Sequence, residues 1–183
     1  MAKKRQAQPA DPALLASSRL VAAFNRQVGN EMGASLQYVA IAAHFDSANL
    51  PELAGFFYRQ AEEEREHAMK FVKFVVDVGG RVQIPSVAAP QSAFASAAEA
   101  VGLSLAWERT VTEQIYALVE IAREDKNYIA LRFLDWFVDE QLEEITTMDQ
   151  LLSLVERAGE NLLWVEERLA RKAMGGELSP PAS

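Results

Sequence analysis

One glutamate interrupts the apolar stripe of the segment FFYRQAEEEREHAMKFVKFV, residues 56–75. The apolar side chains around it recur at i, i+4 and i+7, the spacing of a buried helical face. They are Leu53, Phe57, Ala61, Ala68, Phe71, Val75 and Val78. The stripe needs a further member between Ala61 and Ala68, and that position holds Glu64. Because an ionised carboxylate is costly in a dry interior unless it is paired, Glu64 predicts a buried partner.

Three more segments carry a glutamate at the equivalent place in an apolar stripe. The stripes run through residues 24–45, 101–122 and 134–155, and their glutamates are Glu31, Glu108 and Glu144. Each glutamate lies near the middle of its helical segment, and mid-helix positions of an antiparallel bundle meet at one level. We therefore expect the four side chains to converge. Four carboxylates cannot share a dry site as anions, so they predict bound cations, and two divalent ions would neutralise them.

Two side chains extend this set by one helical turn. His67 follows Glu64 in a Glu-x-x-His pair, and Gln141 precedes Glu144 at the same spacing, so each lies on the same face as its glutamate. One glutamate per helix together with Glu-x-x-His is the ligand pattern of di-iron and di-manganese bundles. Oxygen ligands with one imidazole suit Fe²⁺ or Mn²⁺ and, less well, Zn²⁺. The pattern itself leaves these metals open.

The elements that must position these residues are all predicted to be helices. We expect helices over about residues 12–47, 51–78, 92–123, 128–157 and 160–172, with Asp11 as the first N-cap and Pro12 at N1. Short turns join the first and second helices and the third and fourth, whereas residues 81–91, with Pro85 and Pro90, form a long connection. No segment has the pattern of a strand. The fold class is therefore all-α, a four-helix bundle with one long crossover and a short fifth helix.

Length and composition predict one domain between two tails. The chain has 183 residues, which suits a single domain, and we expect it at residues 12–172 with flexible tails at 1–11 and 173–183. The net charge of −8 argues against nucleic acid as a partner. No apolar run reaches the roughly 20 residues of a membrane span. Cysteine is absent, which excludes disulfides and thiolate metal sites. Because no secretory signal pattern begins the chain, we expect a cytoplasmic location.

Four motifs resemble the bacterial non-haem ferritins, most closely the actinobacterial type. They are QVGNEMGASLQY, AEEEREHAMKF, WERTVTEQI and FLDWFVDEQLEEI, which begin at residues 27, 61, 107 and 133. The resemblance covers about residues 14–172 and all five helices in order. It implies a ferritin-like 24-subunit homo-oligomeric cage that oxidises Fe²⁺ with O₂ or H₂O₂ and stores ferric mineral inside. It also implies that the fifth helix lines the fourfold axes of the cage.

The resemblance assigns the converging glutamates to a ferroxidase centre with two iron ions per subunit. Glu31, Glu64 and His67 match the ligands of the first iron. Glu64 also matches the bridging ligand, and Glu108 and Glu144 complete the second iron. The centre is expected to lie within one subunit rather than between subunits.

Further residues receive roles from the same resemblance. Gln141 matches a glutamine beside the diiron centre. Tyr38 matches a tyrosine that can supply an electron, and Trp136 matches a nearby tryptophan. A third iron site on the inner side of the cage would use Glu63, Glu140, Glu143 and Glu144.

Two departures from related families limit what the resemblance implies. Bacterioferritins carry a haem-ligating methionine directly after the glutamate of the second helix, where this chain has Arg65, and a histidine where it has Glu144. We therefore expect no haem and no other bound organic cofactor. Animal ferritins line their threefold pore with two acidic residues, which align with Leu131 and Leu134 here. We therefore expect iron to reach the centre by another route.

Two alternatives to iron storage remain open at this point. A diiron oxidase or oxygenase that acts on an organic substrate would use similar ligands, but it needs an apolar pocket beside the metals. The second alternative is a metal-free structural bundle that assembles through its fifth helix. Oxidation of Fe²⁺ with mineral formation distinguishes storage from the first alternative. Retained stability after replacement of all four glutamates would favour the second.

Overall fold

The computed structural model describes residues 15–173, which form five helices and no strand. The helices are α1 (Ser18–Ser47), α2 (Pro51–Asp77), α3 (Ala97–Glu124), α4 (Tyr128–Ala158) and α5 (Leu162–Ala173). The predicted all-α class and the order of the five helices are confirmed. The predicted tail at 1–11, and all of the predicted tail at 173–183 except its first residue, lie outside the described residues.

Two helices begin later than the sequence pattern predicts, because a serine caps each of them. The expected first helix included residues 15–17, but α1 begins at Ser18, and the Ser17 hydroxyl accepts a hydrogen bond from the Leu20 amide at 3.0 Å. The expected third helix began near residue 92, but Ser96 caps α3 by accepting from the Glu99 amide at 3.1 Å. Ser96 followed three residues later by Glu99 is a capping-box pattern, whereas Ser17 is a serine N-cap without the glutamate. The predicted start of the third helix was therefore wrong, and the first helix is not continuous through residues 15–17. The predicted N-cap Asp11 and Pro12 at N1 lie outside the described residues.

The long helices form two antiparallel hairpins joined by a crossover that runs along α1. The amide of Leu15, just before α1, donates to the Val78 carbonyl at the end of α2, and the Asn127 side chain donates to the Leu15 carbonyl from the turn before α4. The start of α1 therefore lies at the same end of the bundle as the end of α2 and the α3–α4 turn. The connection between α2 and α3 must then travel the length of the bundle, as predicted.

Two buried amides of α1 hold this crossover in place. The Asn25 side chain donates to the Arg81 carbonyl and accepts from the Gln83 amide, both at 2.9 Å. The Gln37 side chain donates to the Gln91 carbonyl at 2.8 Å and accepts from the Gln91 amide at 2.9 Å. These bonds satisfy backbone groups of a segment that has no regular structure of its own.

The core is divided into two apolar clusters with a polar layer between them. The first cluster contains α1 residues up to Val28 and α4 residues up to Phe137. The second contains α1 residues from Ala34 onward and α4 residues from Met148 onward. The same gap occurs in α2, between residues 61 and 68, and in α3, between residues 105 and 111. Each gap contains one of the four stripe glutamates, so the bundle folds around a central layer of carboxylates.

Helix α5 is fixed to the bundle by a buried carboxylate. Glu166 accepts hydrogen bonds from the backbone amides of Glu52 at 2.8 Å and Leu53 at 2.9 Å. These amides belong to the first turn of α2, whose N-cap residue Leu50 provides no side-chain hydrogen bond. Glu166 therefore caps α2 from another helix.

Leu134 does not line a pore. Its side chain is fully buried in the first apolar cluster, beside the aromatic residues of α2 and α4, and Leu131 packs partly against the same cluster. The assignment of Leu134 to an intersubunit channel is therefore wrong, since a side chain enclosed within one subunit cannot contact a passing ion. Among the described helices, none is both long and apolar enough to cross a membrane.

Candidate metal centre

The four stripe glutamates lie in the central layer, and each is almost completely buried. Glu31, Glu64, Glu108 and Glu144 are between 0% and 4% exposed, and His67 is 3% exposed. One ligand atom from each of Glu31, Glu64 and His67 lies within 4.8 Å of the other two. The charges of Glu108, Glu31 and Glu144 all act on the Glu64 carboxyl. Glu64 is therefore the central member of the group.

Two carboxylate oxygens in this layer are buried without a hydrogen-bond partner. They are Oε2 of Glu31 and Oε2 of Glu64. The Nδ1 atom of His67 lies 3.5 Å from Glu64 Oε2. Buried polar atoms in proteins are nearly always satisfied, so an orphaned pair on adjacent helices indicates that these two oxygens serve as ligand atoms. Carboxylate oxygens and a neutral imidazole fit a divalent cation such as Fe²⁺ or Mn²⁺.

Glu108, in contrast, is held through both of its oxygens. The hydroxyl of buried Tyr38 donates to Glu108 Oε1. The Gln141 side-chain amide lies 3.3 Å from Glu108 Oε2 and 3.1 Å from the Thr112 hydroxyl. Burial, followed by the negative charge of Glu108, raises the pKa of Tyr38 well above its usual range, so the phenol keeps its proton and acts as the donor. Tyr38 and Gln141 therefore orient Glu108 from two sides.

Burial shifts the pKa of every ionisable group in the layer toward its neutral form. It raises the pKa of Glu31 to about 7 and, together with the charge of Glu108, that of Glu144 to about 9. Burial and the neighbouring carboxylates also raise the pKa of Glu64. Burial and the nearby Lys70 ammonium lower the pKa of His67 to about 4. Since His67 is neutral at pH 7, its contact with Glu64 is not an ion pair but leaves an imidazole lone pair available for a metal.

A second group of possible ligands adjoins the first and shares His67. One ligand atom from each of Glu63, His67 and Glu140 lies within 4.8 Å of the other two, and both glutamates are partly exposed. The predicted third iron site contained Glu63 and Glu140 together with Glu143 and Glu144. Glu143 is exposed, and neither it nor Glu144 belongs to this group. The sequence pattern gave no sign that His67 faces both groups.

Trp136 lies against His67, close to the glutamate layer, as the family resemblance implied. Its ring meets the His67 ring edge-to-face at 5.4 Å between centroids. The Lys70 ammonium lies 4.1 Å from the centroid of the Trp136 ring. Trp136 is 39% exposed, so it separates His67 from the surface on this side.

The other oxygen of Glu31 accepts a hydrogen bond from a residue that the sequence pattern did not single out. The Gln27 side chain donates to Glu31 Oε1 at 3.0 Å, and it is itself 2% exposed. Gln27 precedes Glu31 by one helical turn on α1, which is the spacing of side-chain pairs on one face. Its polarity at a core-facing position was the signal that could have identified it.

The fold and the carboxylate layer define a ferritin-like bundle, and comparison with known proteins agrees. The family profile described as Ferritin-like domain matches residues 21–158. The chain is 43% identical over 162 residues to Ferritin BfrB of Mycobacterium tuberculosis, with 88% of each chain covered. It is 38% identical over 154 residues to Bacterial non-heme ferritin of Staphylococcus epidermidis, which covers 83% of this chain and 93% of that protein.

Solved structures show the same relationship. The chain superimposes on the open pore ferritin from the archaeon Archaeoglobus fulgidus with a TM-score of 0.82 at 34% sequence identity, covering 85% of this chain and 96% of that one. The chain belongs to the ferritin family. The resemblance inferred from the four motifs is thereby confirmed, and family membership supports a role in iron storage.

Proposed function

We propose that this protein oxidises Fe²⁺ at a diiron ferroxidase centre inside each subunit and stores the ferric product as mineral in a 24-subunit cage. The observation that carries the proposal is the central layer, in which four buried glutamates from four helices surround two orphaned carboxylate oxygens. Such a layer is unfavourable without cations, because each carboxyl must otherwise be neutralised by a proton. We infer that these cations are iron because the chain belongs to the ferritin family.

Each residue of the layer has a separate task in this proposal. Glu31, Glu64 and His67 bind the first Fe²⁺, and Glu64 shares the second Fe²⁺ with Glu108 and Glu144. Tyr38 and Gln141 fix the orientation of Glu108 through the hydrogen bonds described above. The ligands are mostly carboxylates on facing helices, which bind Fe²⁺ and Fe³⁺ and let the product leave more readily than a histidine-rich site would.

The proposed oxidation requires the site to pass electrons from Fe²⁺ to the oxidant and to supply protons to the reduced product. Two Fe²⁺ ions give up one electron each, and O₂ takes up both electrons with two protons to become H₂O₂. H₂O₂ as the oxidant takes up two electrons and two protons to become two waters. Carboxyl groups whose pKa is raised hold protons at neutral pH and release these protons when Fe²⁺ binds. Glu31 and Glu144 are therefore local proton sources. Tyr38 donates a hydrogen bond to Glu108, and the resemblance assigns it the supply of an electron to the oxidant in place of one from iron.

The partly exposed pair Glu63 and Glu140 is the proposed site that binds ferric product first after it leaves the diiron centre. It adjoins the diiron layer through His67 and opens toward the surface. The third iron site is proposed to consist of this pair, extended by Glu143 and Glu144 when metal is bound. An acidic outlet of this kind would draw cations away from the centre.

Assembly, location and cofactor content complete the proposal. The 24-subunit cage, with α5 at the fourfold axes, and the cytoplasmic location rest on family membership. We propose that haem is absent, because Arg65 occupies the position of the haem-ligating methionine. Its guanidinium is exposed and paired with Glu62, and it offers no sulfur ligand.

Oxidation of an organic substrate is the enzyme class from which this proposal must be distinguished. An apolar groove of about 500 Å³ runs between α2 and α4, with Met69, Phe74 and Phe133 in its wall. None of the buried glutamates lines this groove, so it does not place a substrate at the centre.

The deciding experiment combines solution mass with iron loading. We expect purified protein to have the mass of 24 subunits, to bind two Fe²⁺ per subunit without O₂, and to form ferric mineral when O₂ is added. The variant Glu64→Ala should assemble but lose rapid oxidation. An assembled protein that binds no Fe²⁺, or that consumes O₂ only with an organic substrate, would contradict the proposal.

A further inference from the structure

A cluster of three side-chain amides lies between α1 and α3, next to the carboxylate layer. Gln27 is buried, whereas Asn30 and Gln114 are partly exposed. Asn30 Nδ2 donates to Gln27 Oε1 at 3.1 Å and to Gln114 Oε1 at 2.8 Å. Gln27 Nε2 donates to Glu31 Oε1 at 3.0 Å and lies 3.3 Å from Gln114 Oε1. The cluster is connected to the layer through this one bond to Glu31.

When Glu31 is ionised, which is the form that binds a cation, the partners of Gln27 allow only one orientation of its amide. If the amide were flipped, its oxygen would face Glu31 Oε1, which is also an acceptor, and its nitrogen would face the Asn30 amide nitrogen, which is also a donor. Both contacts would then be repulsive. Asn30 therefore makes Gln27 present its N–H group to Glu31, and Gln27 cannot turn its oxygen toward the layer.

The two oxygens of Glu31 consequently differ. Oε1 accepts from Gln27, whereas Oε2 is buried without a partner. A carboxylate that is held at one oxygen has the other oxygen fixed in direction, and this reduces the freedom that a bound ion would have to restrict.

We propose that Gln27 is a positioning residue that fixes Glu31 as a ligand through Oε2 for the ion shared with Glu64 and His67. This inference rests on the proposed function, since it specifies how one of the proposed iron ligands is oriented. Gln27 acts through Glu31 and does not itself contact the metal. Its contribution is to the affinity for Fe²⁺ and not to the rate of electron transfer.

A second buried glutamine on the same helix provides a matched comparison. Gln37, like Gln27, is 2% exposed. Its side-chain bonds go to the backbone of Gln91 in the crossover, whereas the bonds of Gln27 go only to side chains. Loss of Gln37 therefore removes support from the fold, and loss of Gln27 releases Glu31.

The test is Co²⁺ binding to the assembled full-length chain, followed through the absorption of bound Co²⁺. In Gln27→Leu we expect one of the two Co²⁺ ions per subunit to bind on the order of 10- to 100-fold more weakly, the usual cost of losing a residue that orients a metal ligand. The control Gln37→Leu should have a lower melting temperature but wild-type Co²⁺ affinity. Steady-state oxidation by Gln27→Leu should show a raised KM for Fe²⁺, with kcat within about threefold of wild type.

The variant Asn30→Leu provides a second measurement that does not depend on the folding of Gln27→Leu. It removes the donor that orients the Gln27 amide, so Co²⁺ affinity should fall in the same direction by a smaller factor. The inference would be overturned if Gln27→Leu and Gln37→Leu bound Co²⁺ with equal affinity. If Gln27→Leu does not fold, it would be overturned by equal Co²⁺ affinity in Asn30→Leu and wild type. A lowered kcat with unchanged KM would overturn it too. If wild type itself neither binds Co²⁺ nor oxidises Fe²⁺, the proposed function fails, and this inference fails with it.

Discussion

Glu144 offers a direct test of how the carboxylate layer affects the stability of the metal-free protein. It is 4% exposed, and burial together with the charge of Glu108 raises its pKa from 4.5 to about 9. Glu108 is less suitable for this test, because Tyr38 and Gln141 both donate hydrogen bonds to it. The substitution Glu144→Gln keeps the shape and polarity of the protonated side chain but removes the need to take up a proton on folding.

The size of the effect follows from the pKa difference between the unfolded and folded states. A carboxyl whose pKa is higher in the folded state contributes stability below pH 4.5, and this contribution is lost as the pH rises toward 9. Between these two pKa values, each pH unit above the unfolded-state pKa of 4.5 lowers the free energy of unfolding by about 1.4 kcal/mol. Wild type therefore loses up to about 3 kcal/mol at pH 7. We expect Glu144→Gln to stabilise the metal-free protein by about 1–3 kcal/mol at pH 7, and by less than about 1 kcal/mol at pH 5.

Urea unfolding in the presence of a chelator at pH 5 and pH 7 measures this difference. Both proteins must be compared at one subunit concentration, because assembly also contributes to the apparent stability. The control Glu143→Gln makes the same substitution at an exposed position of α4, and it should change the free energy of unfolding by less than about 0.5 kcal/mol. Added Zn²⁺ should stabilise wild type more than Glu144→Gln, since the variant lacks a ligand.

A Glu144→Gln variant that matches wild type at both pH values would refute this reasoning. That result would mean that Glu144 has no raised pKa in the folded protein, and that the metal-free protein has no proton-dependent cost at this position. A variant that is less stable than wild type at pH 7 would show instead that the ionised carboxylate has a stabilising partner.

Three further predictions concern oxidation, packing and the fifth helix. Glu64→Ala should lose rapid formation of ferric product in stopped-flow absorbance, with a larger effect than Tyr38→Phe, because Glu64 is assigned to both ions; wild-type kinetics would remove that assignment. Leu134→Phe should destabilise the protein by about 1–3 kcal/mol in urea unfolding, since it overfills a closed core; unchanged stability would contradict its burial. Glu166→Ala should lower stability by about 1–2 kcal/mol through loss of the α2 cap, measured by thermal unfolding, and an unchanged melting temperature would show that the cap contributes nothing.

The course of the helices was largely predictable because helical periodicity is local. An apolar residue at every third or fourth position defines a buried face whichever helix covers it. The ends of α2 and α4 followed from Pro51, Gly79 and Gly159, and they agree with the structure to within one or two residues. The starts of α1 and α3 did not follow, because continued helical patterning hid the serine caps at Ser17 and Ser96.

Depth along the bundle was the second property that sequence alone determined. In an antiparallel bundle of helices of similar length, residues at mid-helix meet at one level, so Glu31, Glu64, Glu108 and Glu144 could be placed together before any contact was known. The interruption of an apolar stripe by a charge was informative because the cost of burying that charge requires an explanation.

The tertiary structure alone decided which carboxylate oxygens of the central layer accept hydrogen bonds and which do not. Tyr38 and Glu108 are 70 positions apart, and Asn30 and Gln114 are 84 apart, so no local pattern relates them. The same is true of Leu134, whose alignment implied a pore and whose packing places it in the core. Periodicity determines the face on which a side chain lies, but hydrogen-bond partners and enclosure depend on how distant segments approach one another, and the packing of the whole bundle sets that approach.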